Sequence, residues 1–246
     1  MRYKIVLQYD GGGYHGWQAQ PHQPLTVQNA VENAVEKVLE KRVTVTASGR
    51  TDEGVHALGQ VAHFDSEKEL PSERMLQAIN HWLPEDIRVV FCERVSDNFD
   101  ARKSAKRKTY EYRMYESETP NPLRRTREAF VGEVDVEKMD EASKLFVGVK
   151  DLAGFRSSGS SAKTTVREIY SASVTREGGS VIFRVTGSGF LYNTVRIMAG
   201  ALIRVGQGRM DKGVIEQALA CGDRRLVPDI APSCGLYLKN VEYSAE

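Results

Sequence analysis

A chain of 246 residues, 41% hydrophobic and 27% charged, has enough core for one large or two small globular domains. No apolar run approaches the roughly 18–20 residues of a membrane span, and residues 1–6 run straight into a strand-like pattern, so neither a membrane anchor nor a signal peptide is expected. A net charge of +1 takes no side on nucleic acid, and three widely spaced cysteines without a Cys-x-x-Cys pair point to reduced thiols in a cytoplasmic protein rather than to structural zinc.

In chain order, residues 3–9 are apolar and β-prone. Residues 27–39 carry apolar side chains at helical spacing behind Thr26, a suitable N-cap. Residues 43–47 and 59–64 read as strands, 71–83 as a helix opened by Pro71 and Ser72, and 87–94 as a strand. The order β-α-β-β-α-β is that of a ferredoxin-like unit. The second half varies the theme: a strand at 108–115, a helix at 136–147, a hairpin of 165–174 with 181–187, helices at 195–205 and 212–220, and a last strand at 236–241. The expected fold is therefore α+β, with two ferredoxin-like (RRM-like) halves, residues 1–104 and 105–246, on a mixed or antiparallel central sheet. Duplication rests on element order alone, because no residue-level repeat links the halves. Two loops, 11–24 and 117–127, are longer than compact domains usually tolerate without a functional reason.

Several segments carry potential chemistry. Gly11-Gly12-Gly13-Tyr14-His15-Gly16 spells G-x-G-x-x-G after a strand, but a dinucleotide site needs a helix to open there, and Trp17 to Pro24 cannot start one. Gly49-Arg50-Thr51-Asp52-Glu53-Gly54 places one carboxylate in a glycine-flanked turn after an apolar run. The plainer reading of Asp52 is an Asx-turn that closes a hairpin. In Lys106 to Arg113 the strand alternation puts Tyr110 and Tyr112 on one face beside cations, which suits either base stacking or a core. Arg102, Lys103, Lys106, Arg107 and Lys108 form a basic run that fits phosphates, or a solvated face. Arg196 follows Gly187-Ser188-Gly189-Phe190-Leu191-Tyr192-Asn193 about one turn into a helix, and Ala231-Pro232-Ser233-Cys234-Gly235-Leu236 precedes the last strand. The five histidines show no triad or metal spacing and read as structural or RNA-contacting.

Taken together and in this order, the segments resemble the tRNA pseudouridine synthase A (TruA) family over nearly the whole chain. Glu53 and Gly12 depart from it, standing where the family often has alanine and threonine. The resemblance implies an isomerase that converts uridine to pseudouridine at positions 38, 39 and 40 of the tRNA anticodon stem-loop, with no cofactor and no metal. It implies Asp52 as the catalytic carboxylate, nucleophile or base, with Arg196 as its ion-pair partner and Tyr110 stacked on the target base. It further implies Leu236 in the apolar wall of the uridine pocket, an active-site cleft between the halves, and a homodimer. Arg50 is the candidate to support the flipped-out base, and Arg102, Lys106 and Lys108 are candidates to position the RNA backbone. Two other classes remain: a non-catalytic RRM-like RNA-binding protein, although no strand carries the aromatic signature of that module, and a nucleotide-cofactor enzyme.

Overall fold

The computed structural model describes residues 1–20, 22–159 and 163–244. The chain forms two compact units, residues 1–106 with 238–246, and residues 107–237.

The first unit begins with β1 (Arg2–Tyr9), whose alternation buries Tyr3, Ile5, Leu7 and Tyr9. α1 (Val27–Leu39) starts where Thr26 Oγ1 accepts from the Asn29 N–H at 3.3 Å, and it buries Val27, Val31, Ala34, Val35 and Val38 on the face its spacing predicts. β2 (Thr46–Ala47), β3 (His56–Asp65), α2 (Ser72–Trp82) and β4 (Ile87–Val95) follow. β1 lies antiparallel between β3 and β4, and β2 pairs with the far end of β3, Ala47 opposite Ala62. α1 and α2 pack on one another and α2 on β4. The last strand, β10 (Leu236–Tyr243), joins β3, so a strand from the far end of the sequence completes this sheet.

The edge strand β4 is partly closed by a side chain. The Asn80 amide accepts from the Val89 N–H and donates to the Val89 carbonyl, both at 2.8 Å, mimicking a neighbouring strand where β4 bulges against β1.

The second unit contains β5 (Ala105–Tyr115), β6 (Ala129–Phe130), α3 (Val136–Ser143), β7 (Gly148–Asp151), β8 (Val166–Glu177), β9 (Ser180–Gly187), α4 (Thr194–Gly206) and α5 (Lys212–Cys221). Its strands run β5-β9-β8-β7 antiparallel, and β6 adds to β5 in parallel, so the protein is α+β with a mixed sheet. Tyr112, Met114, Val181, Phe183 and Val185 on the strands and Met139, Phe146, Ile197, Met198 and Leu202 on the helical segments are all fully buried and make up its core. Glu111, on the other face of β5, is only 2% exposed and is held by two guanidinium groups, Arg184 Nη2 at 2.8 Å and Arg113 Nη2 at 3.1 Å.

Two expected elements are markedly shorter. Of residues 43–47 only Thr46–Ala47 pairs as strand. The helix expected over 136–147 stops at Ser143 and tightens into a 3₁₀ turn over Lys144–Phe146. β6 and β7 carried no sequence signal that marked them.

Candidate active site

The turn holding Asp52 is fixed by its neighbours peptide by peptide. The Thr51 carbonyl accepts from the Trp17 N–H at 2.9 Å, the Asp52 carbonyl from the Val55 N–H at 3.1 Å, and the Gly54 N–H donates to the Tyr14 carbonyl at 3.3 Å. The Gly49 carbonyl accepts from Gln60 Nε2 at 2.8 Å. On the side chains, Thr51 Oγ1 lies 2.8 Å from the Tyr9 hydroxyl, and both residues are buried. Desolvation pushes the Tyr9 phenol up to about 12, so at neutral pH it is a neutral hydroxyl. Asp52 itself is half-buried and Arg50 is exposed.

The glycine-rich loop explains the Trp17 contact. The carbonyls of Gly16 and Trp17 accept from the Val27 and Gln28 N–H groups at 3.1 and 2.9 Å, satisfying donors that the first turn of α1 cannot satisfy internally. The Gln28 side chain accepts from the Ala19 N–H and from Gln18 Nε2, both at 2.9 Å. Trp17 is 2% exposed, so it anchors the loop. Gly16 has φ +82°, and a Cβ there would stand 2.6 Å from the Thr51 oxygen, so the approach of loop to turn requires glycine. Gly11–Gly13 form a 3₁₀ turn and the next α-helix begins at Val27, which removes the helix terminus a dinucleotide site needs. Of the loop's residues, Pro21 lies outside those described.

In the second unit the fold gathers the segments that the sequence singled out. Tyr110, half-buried on β5, meets the Phe190 ring edge-on at 5.2 Å between centroids. Arg196, half-buried in the first turn of α4, donates from Nε to the Ala231 carbonyl at 2.7 Å and from Nη1 to Asn193 Oδ1 at 3.1 Å, while its own carbonyl accepts from the Ala231 N–H at 3.1 Å. Those side-chain bonds occupy two of the five donors of a guanidinium. Asn193 holds a left-handed backbone, φ +62°, and its Nδ2 donates to Ser157 Oγ at 3.0 Å. Such a conformation costs about 1–3 kcal/mol and clusters at working sites. The Tyr112 hydroxyl donates to the Pro232 carbonyl at 2.7 Å, and Gly235 lies so close to β5 that a Cβ would stand 2.7 Å from the Arg113 carbonyl. Leu236, buried, follows directly. One β-strand, one helix start and the 231–236 segment are thereby fixed to each other through Tyr112, Arg196 and Ala231.

Arg102 and Lys106 are exposed and Lys108 is half-exposed, so they stand where a phosphate could reach them. Arg124, which stands with Arg125 and Arg127 in a further basic stretch, is taken up by Glu128 and by the Tyr115 ring, 4.5 Å away. His56 Nδ1 accepts from the Gly11 N–H and His63 Nδ1 from the Ala101 N–H, each at 3.1 Å, which are structural roles. Among the described residues, no group of His, Cys, Asp and Glu is arranged to hold a metal ion, and no helix is long and apolar enough to cross a membrane.

Sequence reasoning passed over three residues that touch the Asp52 turn: Tyr9, Ser48 and Gln60. The available signal was Gln60, a polar residue inside the apolar strand pattern Gly59 to Phe64 and wholly buried in the structure.

Residues 5–102 and 142–244 match the tRNA pseudouridine synthase family. The chain belongs to that family. Both matched stretches carry candidates, Arg50, Asp52 and Arg102 in the first and Arg196 and Leu236 in the second, whereas Lys106, Lys108 and Tyr110 fall between them. The chain is 40% identical over 242 residues to the tRNA pseudouridine synthase A 2 of Bacillus cereus, covering 98% of this chain and 99% of that protein. It is 43% identical over 243 residues to tRNA pseudouridine synthase A of an Exiguobacterium species, and 43% identical over 241 residues to that of Acetivibrio thermocellus, covering 98% of both chains in each case. Members of a pseudouridine synthase family are isomerases: uridine and pseudouridine have the same atoms differently joined.

Proposed function

We propose that the chain isomerises uridine to pseudouridine at positions 38, 39 and 40 of the tRNA anticodon stem-loop, with Asp52 as the catalytic carboxylate. The bond from ribose C1′ to N1 of uracil breaks, the base turns, C1′ joins C5, and the C5 proton leaves as N1 gains one. The sum is neutral in atoms and electrons, so the reading needs no redox partner. Membership of the family supplies the reaction class. The observation that carries the assignment of Asp52 is its turn: the carbonyls at 49, 51 and 52 each accept a defined hydrogen bond, leaving a half-buried carboxylate on a rigid support.

A carboxylate in this position suits two routes, attack on C1′ or removal of a proton during base detachment. The other roles follow the family resemblance. Arg196 pairs with the carboxylate, Tyr110 stacks on the base and assists loss of the C5 proton, and Leu236 lines the apolar wall. Arg50 supports the extruded nucleotide. Arg102, Lys106 and Lys108 hold phosphates without reading sequence. Two ferredoxin-like halves, a homodimer and a cytoplasmic location belong to the same reading. The β4-β1-β3 order of the first unit, with β2 on β3 and both helices between strands, is compatible with the ferredoxin-like half.

The test is release of tritium from tRNA labelled at uridine C5, with the intact protein and with Asp52→Asn. Release by the intact protein alone supports the proposal. A folded, tRNA-binding protein that releases none would be a binding module, and equal release by Asp52→Asn would remove the carboxylate from the mechanism.

A further inference from the structure

β2 and β3 pair through Ala47 and Ala62, and the Ser48 N–H still donates to the Val61 carbonyl at 2.7 Å. One residue further on, the ladder gives way to a side chain. Gln60 Nε2 donates to the Gly49 carbonyl at 2.8 Å, while Gln60 Oε1 accepts from Ser48 Oγ at 2.7 Å. The second Nε2 hydrogen faces the Tyr9 oxygen, a long contact of 3.5 Å, and that oxygen lies 2.8 Å from Thr51 Oγ1. Gln60 and Ser48 are 0% exposed, Tyr9 4% and Thr51 5%. The Gly49 carbonyl settles which way the amide points, because reversing it would set two oxygens against each other.

We propose that Gln60 is a positioning residue for Asp52. Its amide, carried on strand β3, fixes the Ser48 hydroxyl and the Gly49 carbonyl on one side of the carboxylate and, through Tyr9, the side chain of Thr51 on the other. It touches neither substrate nor reacting atoms. A buried amide with both ends engaged transmits the rigidity of the sheet to the turn, and a displacement of about 1 Å at a reacting group costs about 100-fold in rate. An apolar side chain there would leave the half-buried Gly49 carbonyl without its donor, so the turn would move to meet water. The inference rests on the assignment of Asp52 above.

The experiment measures single-turnover tritium release at saturating tRNA, the tRNA dissociation constant and the thermal midpoint for the parent, Gln60→Leu, Gln60→Glu, Tyr9→Phe and Asp52→Asn. Gln60→Leu is expected to lose about 100-fold in single-turnover rate while tRNA affinity stays within about twofold. Gln60→Glu separates positioning from packing. A neutral carboxyl can donate to Gly49 and accept from Ser48, whereas a carboxylate cannot donate, and burial raises the carboxyl pKa. Its rate relative to the parent at the same pH should rise as pH falls, and that of Gln60→Leu should not. If Gln60→Leu fails to fold, Tyr9→Phe decides, with an expected loss of about 10-fold in rate at unchanged affinity. A folded variant at parental rate, or a loss explained by weaker tRNA binding, overturns the inference while leaving Asp52 in place. An active Asp52→Asn overturns both.

Discussion

The main-chain N–H of Trp17 donates to the carbonyl of Thr51, 2.9 Å away and one residue before Asp52. The Trp17 carbonyl meanwhile accepts from the first turn of α1, so one buried residue links a helix terminus to the candidate catalytic turn. The loop that resembles a nucleotide-binding motif is in this protein a brace.

Gly16→Ala should loosen that brace. The residue sits at φ +82°, and the added methyl would meet the Thr51 carbonyl at 2.6 Å. A loss of about 1–3 kcal/mol in urea unfolding is expected, together with slower tritium release. A variant as stable and as active as the parent would show that the turn does not depend on the loop.

Arg196→Lys should lower turnover more than stability. Lysine can reach the Ala231 carbonyl or the Asn193 amide oxygen, but it lacks the flat fork that serves both and still offers donors to a carboxylate. A drop of about 10-fold or more in single-turnover rate, with the thermal midpoint nearly kept, is the expected pattern. Equal rates would end the ion-pair assignment.

Stability should decline on acidification from about pH 6.5, in part through His63. Its desolvated ring lies below the ordinary value of 6.5, helped by the Arg2 charge, and its Nδ1 must be unprotonated to accept from the Ala101 N–H. A group with a depressed folded-state pKa takes up its proton first in the unfolded chain, so the stabilisation is complete above the unfolded pKa and is lost as pH falls through the folded one. Denaturant titrations from pH 7.5 to 5 should show a steeper decline for the parent than for His63→Gln; parallel curves would place the effect elsewhere.

Glu111→Ala should cost about 1.5–3 kcal/mol, because it removes the buried carboxylate that joins Arg113 and Arg184, while both guanidiniums keep contact with water and Arg184 keeps Glu177. Arg184→Met should cost less, since Arg113 still serves Glu111. Equal losses in chemical denaturation would mean that packing rather than charge dominates this cluster.

Much of this was legible because the signals were local. Thr26 and the helical spacing behind it define α1 from its own residues, and glycines at 49 and 54 marked the Asp52 turn. What escaped depends on partners distant in sequence. Val45 reads as strand, but its N–H donates to Glu32 Oε1 at 3.0 Å and its carbonyl accepts from Gln28 Nε2 at 3.3 Å, so α1 claims the groups a strand would have used. The helix expected to 147 tightens after Ser143, whose hydroxyl bonds back to the Asp140 carbonyl at 2.7 Å, a local competition that periodicity does not register. β6 is two residues held in parallel to β5, too short to show a period. Of the proposed catalytic residues, Asp52, Tyr110 and Arg196 are each visible within a sequence motif, whereas Gln60 gains its meaning only because β2 ends opposite it.

The placement of β10 has a consequence for synthesis. The sheet that carries the Asp52 turn runs β4-β1-β3-β10, and its final member is encoded more than a hundred residues after β4. On a ribosome adding about 5–20 residues per second, β3 must wait roughly 10–35 seconds with most of that edge open. The second unit, residues 107–237, is contiguous in sequence and can collapse during this interval. The part of the protein made first is therefore the part finished last, and its exposed edge is where a nascent-chain chaperone would have most to protect.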